Sequence, residues 1–271
     1  MYKRTVQTAL AFSLVMGWIS TSVLSVANAS TEAVSGIEVS SSHPGTVTIG
    51  YDIRFSPKRY KLMILKSDTV YTYNLDAAWV SETFPLQSGG GAYEITLLEQ
   101  VSGTNYRKID TASVKLTASE ADQAFLSSVQ NVNWQEARKA TALATKLTSG
   151  KKTDRTKTQA IYDYVTANVV YEAEETPIAY LPSVDDTLTS GKGMCYDYAS
   201  LMAVMLRSSG IPTKLVMGNT TYVTQYHAWN EVYLDGEWVI VDATVDATYR
   251  QAGKIIPFAK EASKYTVQKV Y

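Results

Sequence analysis

The sequence predicts an α+β protein in which a small all-β sandwich domain precedes a region of helices and strands. Three observations carry this. From about Gly36 to Leu116 apolar residues recur with a period of two. From Thr117 the spacing turns helical. From Val169 onward the pattern is strand, long loop, helix and then strands. The domain limits that follow are 30–116 for the sandwich and 117–271 for the helical segment with the region after it.

Residues 1–29 read as a cleavable leader. Lys3 and Arg4 stand before an apolar stretch that ends in "ANAS", with Ala27 and Ala29 at the spacing signal peptidase favours. The competing reading is an uncleaved membrane anchor, but Ser, Thr and Gly dilute the stretch. Cleavage near Ala29 would place the protein outside the cell or in the cell envelope. No later segment has enough consecutive apolar residues to span a bilayer, so the mature form is expected not to cross the membrane. A hydrophobic fraction of 45% argues for a packed core and against disorder. The net charge of −1 gives no reason to expect nucleic acid as a partner.

Five runs in the first region read as strands: "TVTIGYDI", "YKLMILK", "TVYTYNL", "AYEITLLEQ" and "YRKIDTASVKL". Turn-rich pieces such as "KSD", "QSGGG" and "VSGTN" separate them. Five or six antiparallel strands suit a sandwich that binds, spaces or orients. His43, in "SSHPG", reads as a loop residue. Beyond Thr117, "TASEADQAFLSSVQ", "NWQEARKATALATKL" and "TDRTKTQAIYDYVTANV" read as helices, the last with Ala160, Ile161, Tyr164 and Val165 on one face. Their basic run, Arg138, Lys139, Lys146, Lys151, Lys152, Arg155 and Lys157, is a solvated face or a docking strip for an anionic cell-wall polymer. The loop "EAEETPIAYLPSVDDTLTSGKG" gathers Glu172, Glu174, Glu175, Asp185 and Asp186 before the next helix. Such a set would favour a cationic substrate group if it lined a cleft.

That next helix, "CYDYASLMAVMLRSSGIP", opens with Cys195, the one cysteine of the chain. A single thiol cannot build a disulfide framework, so it is either a small buried hydrophobe or a reactive group. Ala199, Met202, Ala203 and Leu206 form one helical face, and Gly210 with Pro212 stops the helix. Cys195 therefore sits at a helix N-terminus, where unpaired N–H groups favour a thiolate and can stabilise an oxyanion. The backbone N–H of Cys195 is one such donor; Trp229, or a tyrosine from the loop before Gly191, is a candidate for another.

A base for this thiol comes from one of two histidines. His227 lies in "TQYHAWNEVYL", followed by Asp235-Gly236 and "EWVIVDAT", a hairpin with a type I′ turn. That turn sets Trp229 opposite Asp242 and makes His227 its diagonal neighbour on the same face. Asp242 can then orient one ring nitrogen while the other faces the thiol. Asp246, of the same parity, is the rival orienter. A one-residue slip would undo the arrangement. No His, Cys and carboxylate cluster has metal-ligand spacing and no glycine-rich phosphate loop occurs, so no cofactor is expected.

Together "GKGMCYDYASLMAVMLRSSGIPTKLVMG" and "HAWNEVYLDGEWVIVDAT" resemble the bacterial transglutaminase-like superfamily over roughly Lys157 to Thr248. The resemblance implies a papain-like core, with the cysteine helix packed on an antiparallel sheet that carries His and Asp. It also implies Cys195 as nucleophile, His227 as base and Asp242 as orienter. The sandwich lies outside it. The function expected is cysteine-dependent acyl transfer on amide bonds of a protein or peptide, by crosslinking of Gln to Lys side chains or by hydrolysis. The alternative is a non-catalytic cell-envelope binding or structural module on the same scaffold.

Overall fold

The computed structural model describes residues 37–40, 43–51, 58–75, 81–172 and 180–271. The leader with its cleavage site lies outside the described residues, as do Glu174 and Glu175 of the acidic loop.

Seven strands open the described chain: β1 (Glu38–Ser40), β2 (Thr46–Gly50), β3 (Tyr60–Lys66), β4 (Thr69–Asn74), β5 (Ser81–Pro85), β6 (Gly91–Ser102) and β7 (Asn105–Leu116). They form two antiparallel sheets, β1-β2-β5 and β4-β3-β6-β7. Val47, Ile49 and Phe84 of one sheet and Leu62, Ile64, Tyr93, Ile95 and Val114 of the other share a single buried cluster, which makes the pair a sandwich. The five strands read from periodicity are present, and β1 and β5 are additional. β5, "SETFP", has too few apolar residues to alternate visibly, and it ends in a proline that an edge strand tolerates.

The chain then forms α1 (Ala118–Ala121), a 3₁₀ turn (Asp122–Leu126), α2 (Arg138–Thr148) and α3 (Asp154–Asn168). Thr153 caps α3, its hydroxyl accepting from Thr156 N–H at 3.2 Å, and Ile161 and Val165 are buried on the predicted face. After β8 (Val170–Tyr171), the segment expected to be loop contains a helix, α4 (Val184–Ser190), followed by β9 (Lys192–Gly193), which pairs parallel with β8. Asp185 of α4 accepts the N–H groups of Lys139 (3.0 Å) and Ala140 (2.9 Å) and so caps α2 from another element. Its carboxylate serves α2 rather than an acidic cleft wall.

α5 (Cys195–Ser208) is central. Its predicted apolar face is present, but Asp197 through Arg207 are buried all round, as expected for a helix enclosed by its neighbours. Against it lies a four-stranded antiparallel sheet of order β12-β11-β10-β13, built from β10 (Thr213–Thr220), β11 (Val223–Leu234), β12 (Glu237–Val241) and β13 (Tyr265–Val270). Between β12 and β13 runs α6 (Ala243–Gln251), which the period-two reading of "VIVDAT" did not anticipate. Asp242 is its N-cap: the strand turns into a helix at that residue.

Arg207, 2% exposed, joins distant parts of the chain. Its guanidinium donates to the carbonyls of Thr213 (2.8 Å), Ser127 (2.9 Å) and Tyr271 (2.8 Å). Tyr271 in turn packs edge-on against Tyr71 and Tyr73 of β4, linking the sandwich to the helical core.

Candidate active site

Cys195 occupies the first position of α5, after an extended Met194. The entry is fixed by Asp197, whose Oδ2 reaches back to accept Met194 N–H at 2.8 Å and whose Oδ1 accepts the Tyr180 hydroxyl at 2.6 Å. A Cβ at residue 193 would lie 2.7 Å from the Asp197 Cβ, so only glycine lets the chain approach this closely. Cys195 is partly accessible.

The hairpin register is the predicted one. Asn230 pairs with Val241 and Leu234 with Glu237, about a turn in which Asp235 and Gly236 both have positive φ. His227, 3% exposed, places Nε2 2.8 Å from Asp242 Oδ2, and Cys195 stands close enough to help raise the ring. With Nε2 committed to the carboxylate, Nδ1 is the nitrogen left for sulfur. The structure thus brings Cys195, His227 and Asp242 together. Burial alone would lower the imidazole. The hydrogen bonds and negative charges of Asp242 and Cys195 outweigh it and raise His227 to about 9.

Asp242 is fully buried. Its Oδ1 accepts Val245 N–H at 3.1 Å, the helix cap, and its Oδ2 accepts the Tyr265 hydroxyl at 2.9 Å beside His227. The rival Asp246 is engaged elsewhere: its Oδ2 is 2.6 Å from both Lys260 Nζ and the Tyr162 hydroxyl. Burial holds Asp246 up at about 6, against the opposing pull of those two partners.

Trp229 stacks near His227, with centroids 6.3 Å apart, but at 1% exposure it is walled off from an incoming carbonyl. Tyr180 spends its hydroxyl on Asp197. The Cys195 backbone N–H lies in the first turn of α5. Sequence reasoning missed three residues here. Asp197 carried a signal, an acid three positions after the cap. Tyr171, 44% exposed and close enough for burial first and Cys195 second to raise its phenol, carried none. Tyr265 carried none either, because the strand pairing that delivers it is tertiary. Among the described residues, no group of three or more His, Cys, Asp or Glu side chains is placed to hold a metal ion.

Residues 141–243 match the family profile of the transglutaminase-like superfamily. Kyphoscoliosis peptidase of Homo sapiens is 32% identical over 106 residues, 34% of this chain and 16% of that protein. YebA of Bacillus subtilis (strain 168) is 29% identical over 175 residues, 57% of this chain and 23% of that protein. The chain therefore spans under a quarter of the length of either relative. The periplasmic domain of TgpA from Pseudomonas aeruginosa is 17% identical, covering 81% of this chain and 95% of its own, with a TM-score of 0.40. Over residues 141–243 the chain is thus similar to the transglutaminase-like superfamily.

Proposed function

We propose that the chain is an exported, cysteine-dependent acyl-transfer enzyme that acts on amide bonds of proteins or peptides through a thioester. One observation carries the reading: His227 is hydrogen-bonded to Asp242 and stands beside Cys195, with that thiol at the start of a helix. The sulfur of Cys195, its proton held on His227, attacks a carboxamide or peptide carbonyl and forms a C–S bond. The negative oxygen of the tetrahedral intermediate accepts from the Cys195 backbone N–H. The C–N bond then breaks as the imidazolium gives its proton to the leaving nitrogen, which departs as ammonia or an amine. His227, now neutral, takes a proton from an incoming amine or water. That nucleophile displaces sulfur to give a new amide or an acid and restores the thiol.

Export rests on the leader at residues 1–29. The sandwich of 30–116 would orient the catalytic region of 117–271 on its substrate. The exposed basic residues of α2 and α3 would serve an anionic cell-wall polymer, except that Arg155 and Lys157 already pair with Asp235 and Asp154. That the human relative is named a peptidase supports including peptide bonds among the substrates.

The test is incubation of the protein with a labelled primary amine and a mixture of glutamine-containing proteins. Label incorporation that disappears in Cys195→Ala supports crosslinking; new peptide termini that disappear in it support hydrolysis. Either product formed equally well by Cys195→Ala overturns the proposal.

A further inference from the structure

We infer that Tyr265 is a positioning residue for His227, acting through Asp242. The inference rests on reading Cys195, His227 and Asp242 as the reacting groups. It adds a residue from outside the stretch that matches the family, which ends at residue 243.

Asp242 Oδ2 lies between two donors, His227 Nε2 at 2.8 Å and the Tyr265 hydroxyl at 2.9 Å, while Oδ1 is held by Val245 N–H. Three elements, β11, β13 and α6, therefore each fix one contact of a fully buried carboxylate, and it has no freedom to rotate. The phenol is held just as firmly. Tyr265 pairs with Thr220 across the sheet, and its ring packs against Trp229 at 4.9 Å and Tyr222 at 5.9 Å. The preceding segment is locked to the same helix turn: Lys260 N–H donates to Ile240 O, and Lys260 Nζ bonds Asp246 and the Pro257 carbonyl. Both carboxylates at the start of α6 are thus held from one stretch of chain, residues 257–265.

A second donor on Oδ2 has two effects. It keeps the oxygen aimed at Nε2, and it takes up part of the carboxylate's charge. The imidazolium is then held less tightly and can give its proton to a leaving nitrogen. A tyrosine that merely fills space would have neither effect.

Tyr265→Phe keeps the ring and removes only the O–H. The titration of His227 is followed by NMR in the full chain, where His43 is the only other histidine and His43→Asn assigns the signals. The expected result is an upward move of the His227 titration by about half a unit, as a less-neutralised carboxylate favours imidazolium. With it, kcat should fall about tenfold at unchanged KM, and the alkaline limb should move the same way. An unmoved titration in a folded variant overturns the inference, as does an unchanged kcat. Where Tyr265→Phe does not fold, 3-fluorotyrosine at position 265 keeps the hydroxyl and strengthens it as a donor. The titration must then move down, and no movement overturns the inference. The NMR measurement needs no turnover. Activity surviving in Cys195→Ala would therefore sink the acyl-transfer reading and leave the Tyr265 result standing.

Discussion

His227 sets the pH dependence of the site. Its folded value of about 9 lies above the ordinary 6.5, so the fold favours the protonated ring. That contribution to stability is complete below about 6.5 and is lost as pH rises through about 9. In the proposed reaction the imidazolium is also the acid that expels the leaving nitrogen, so kcat/KM should fall on an alkaline limb with an apparent value near 9. Asp242→Asn removes the main partner that raises the ring; the limb should move down and kcat should fall by about 10²–10⁴. An Asn variant with an unmoved limb would show that Asp242 does not govern His227. The residues of this trio were legible because each has a local cause. Cys195 follows from a helix start and His227 with Asp242 from a two-residue turn whose register the structure keeps. Tyr265 was not legible: 23 residues and a whole helix separate it from Asp242.

At the scale of elements, the close approach of β13 to β10 depends on Gly218, which faces His227 on one side and Val267 on the other. A Cβ there would stand 2.0 Å from the Thr266 carbonyl oxygen and 3.0 Å from the Trp229 ring. Backbone cannot yield as a flexible side chain does. Gly218→Ala should therefore part the strands and destabilise the protein by about 2–3 kcal/mol, read from the urea midpoint. Because β13 carries Tyr265, activity should fall even where the variant stays folded; an unchanged midpoint and activity would contradict this. Periodicity found the long strands and the helices α2, α3 and α5. It missed α4 and α6, since seven residues of "VDDTLTS" are polar loop by composition and "DATVDATYR" follows a strand without a break. What makes them helices is tertiary: α4 docks its Asp185 on α2, and α6 is capped by a carboxylate that His227 and Tyr265 already hold.

Over the whole molecule, the sandwich and the papain-like core meet where Tyr271 lies against Tyr71 and Tyr73, and Arg207 fastens that residue to α5. The guanidinium satisfies three carbonyls from separate segments at 2.8–2.9 Å. Arg207→Met keeps much of the stem and strands all three acceptors, so a loss of about 3 kcal/mol in unfolding free energy is expected. A midpoint equal to that of the parent chain would show that these bonds add nothing net. The two-part architecture was legible from the change of period at Thr117, whereas the clamp was not, because Arg207 lies up to 80 residues from its partners. In the proposed reaction Cys195 is made reactive by His227. The rate of Cys195 alkylation by iodoacetamide near pH 6.5, compared between the parent chain and His227→Ala, tests it without knowledge of the substrate. The parent should react at least about tenfold faster, because His227 stands beside Cys195 as the base that takes its proton. Equal rates would contradict the claim.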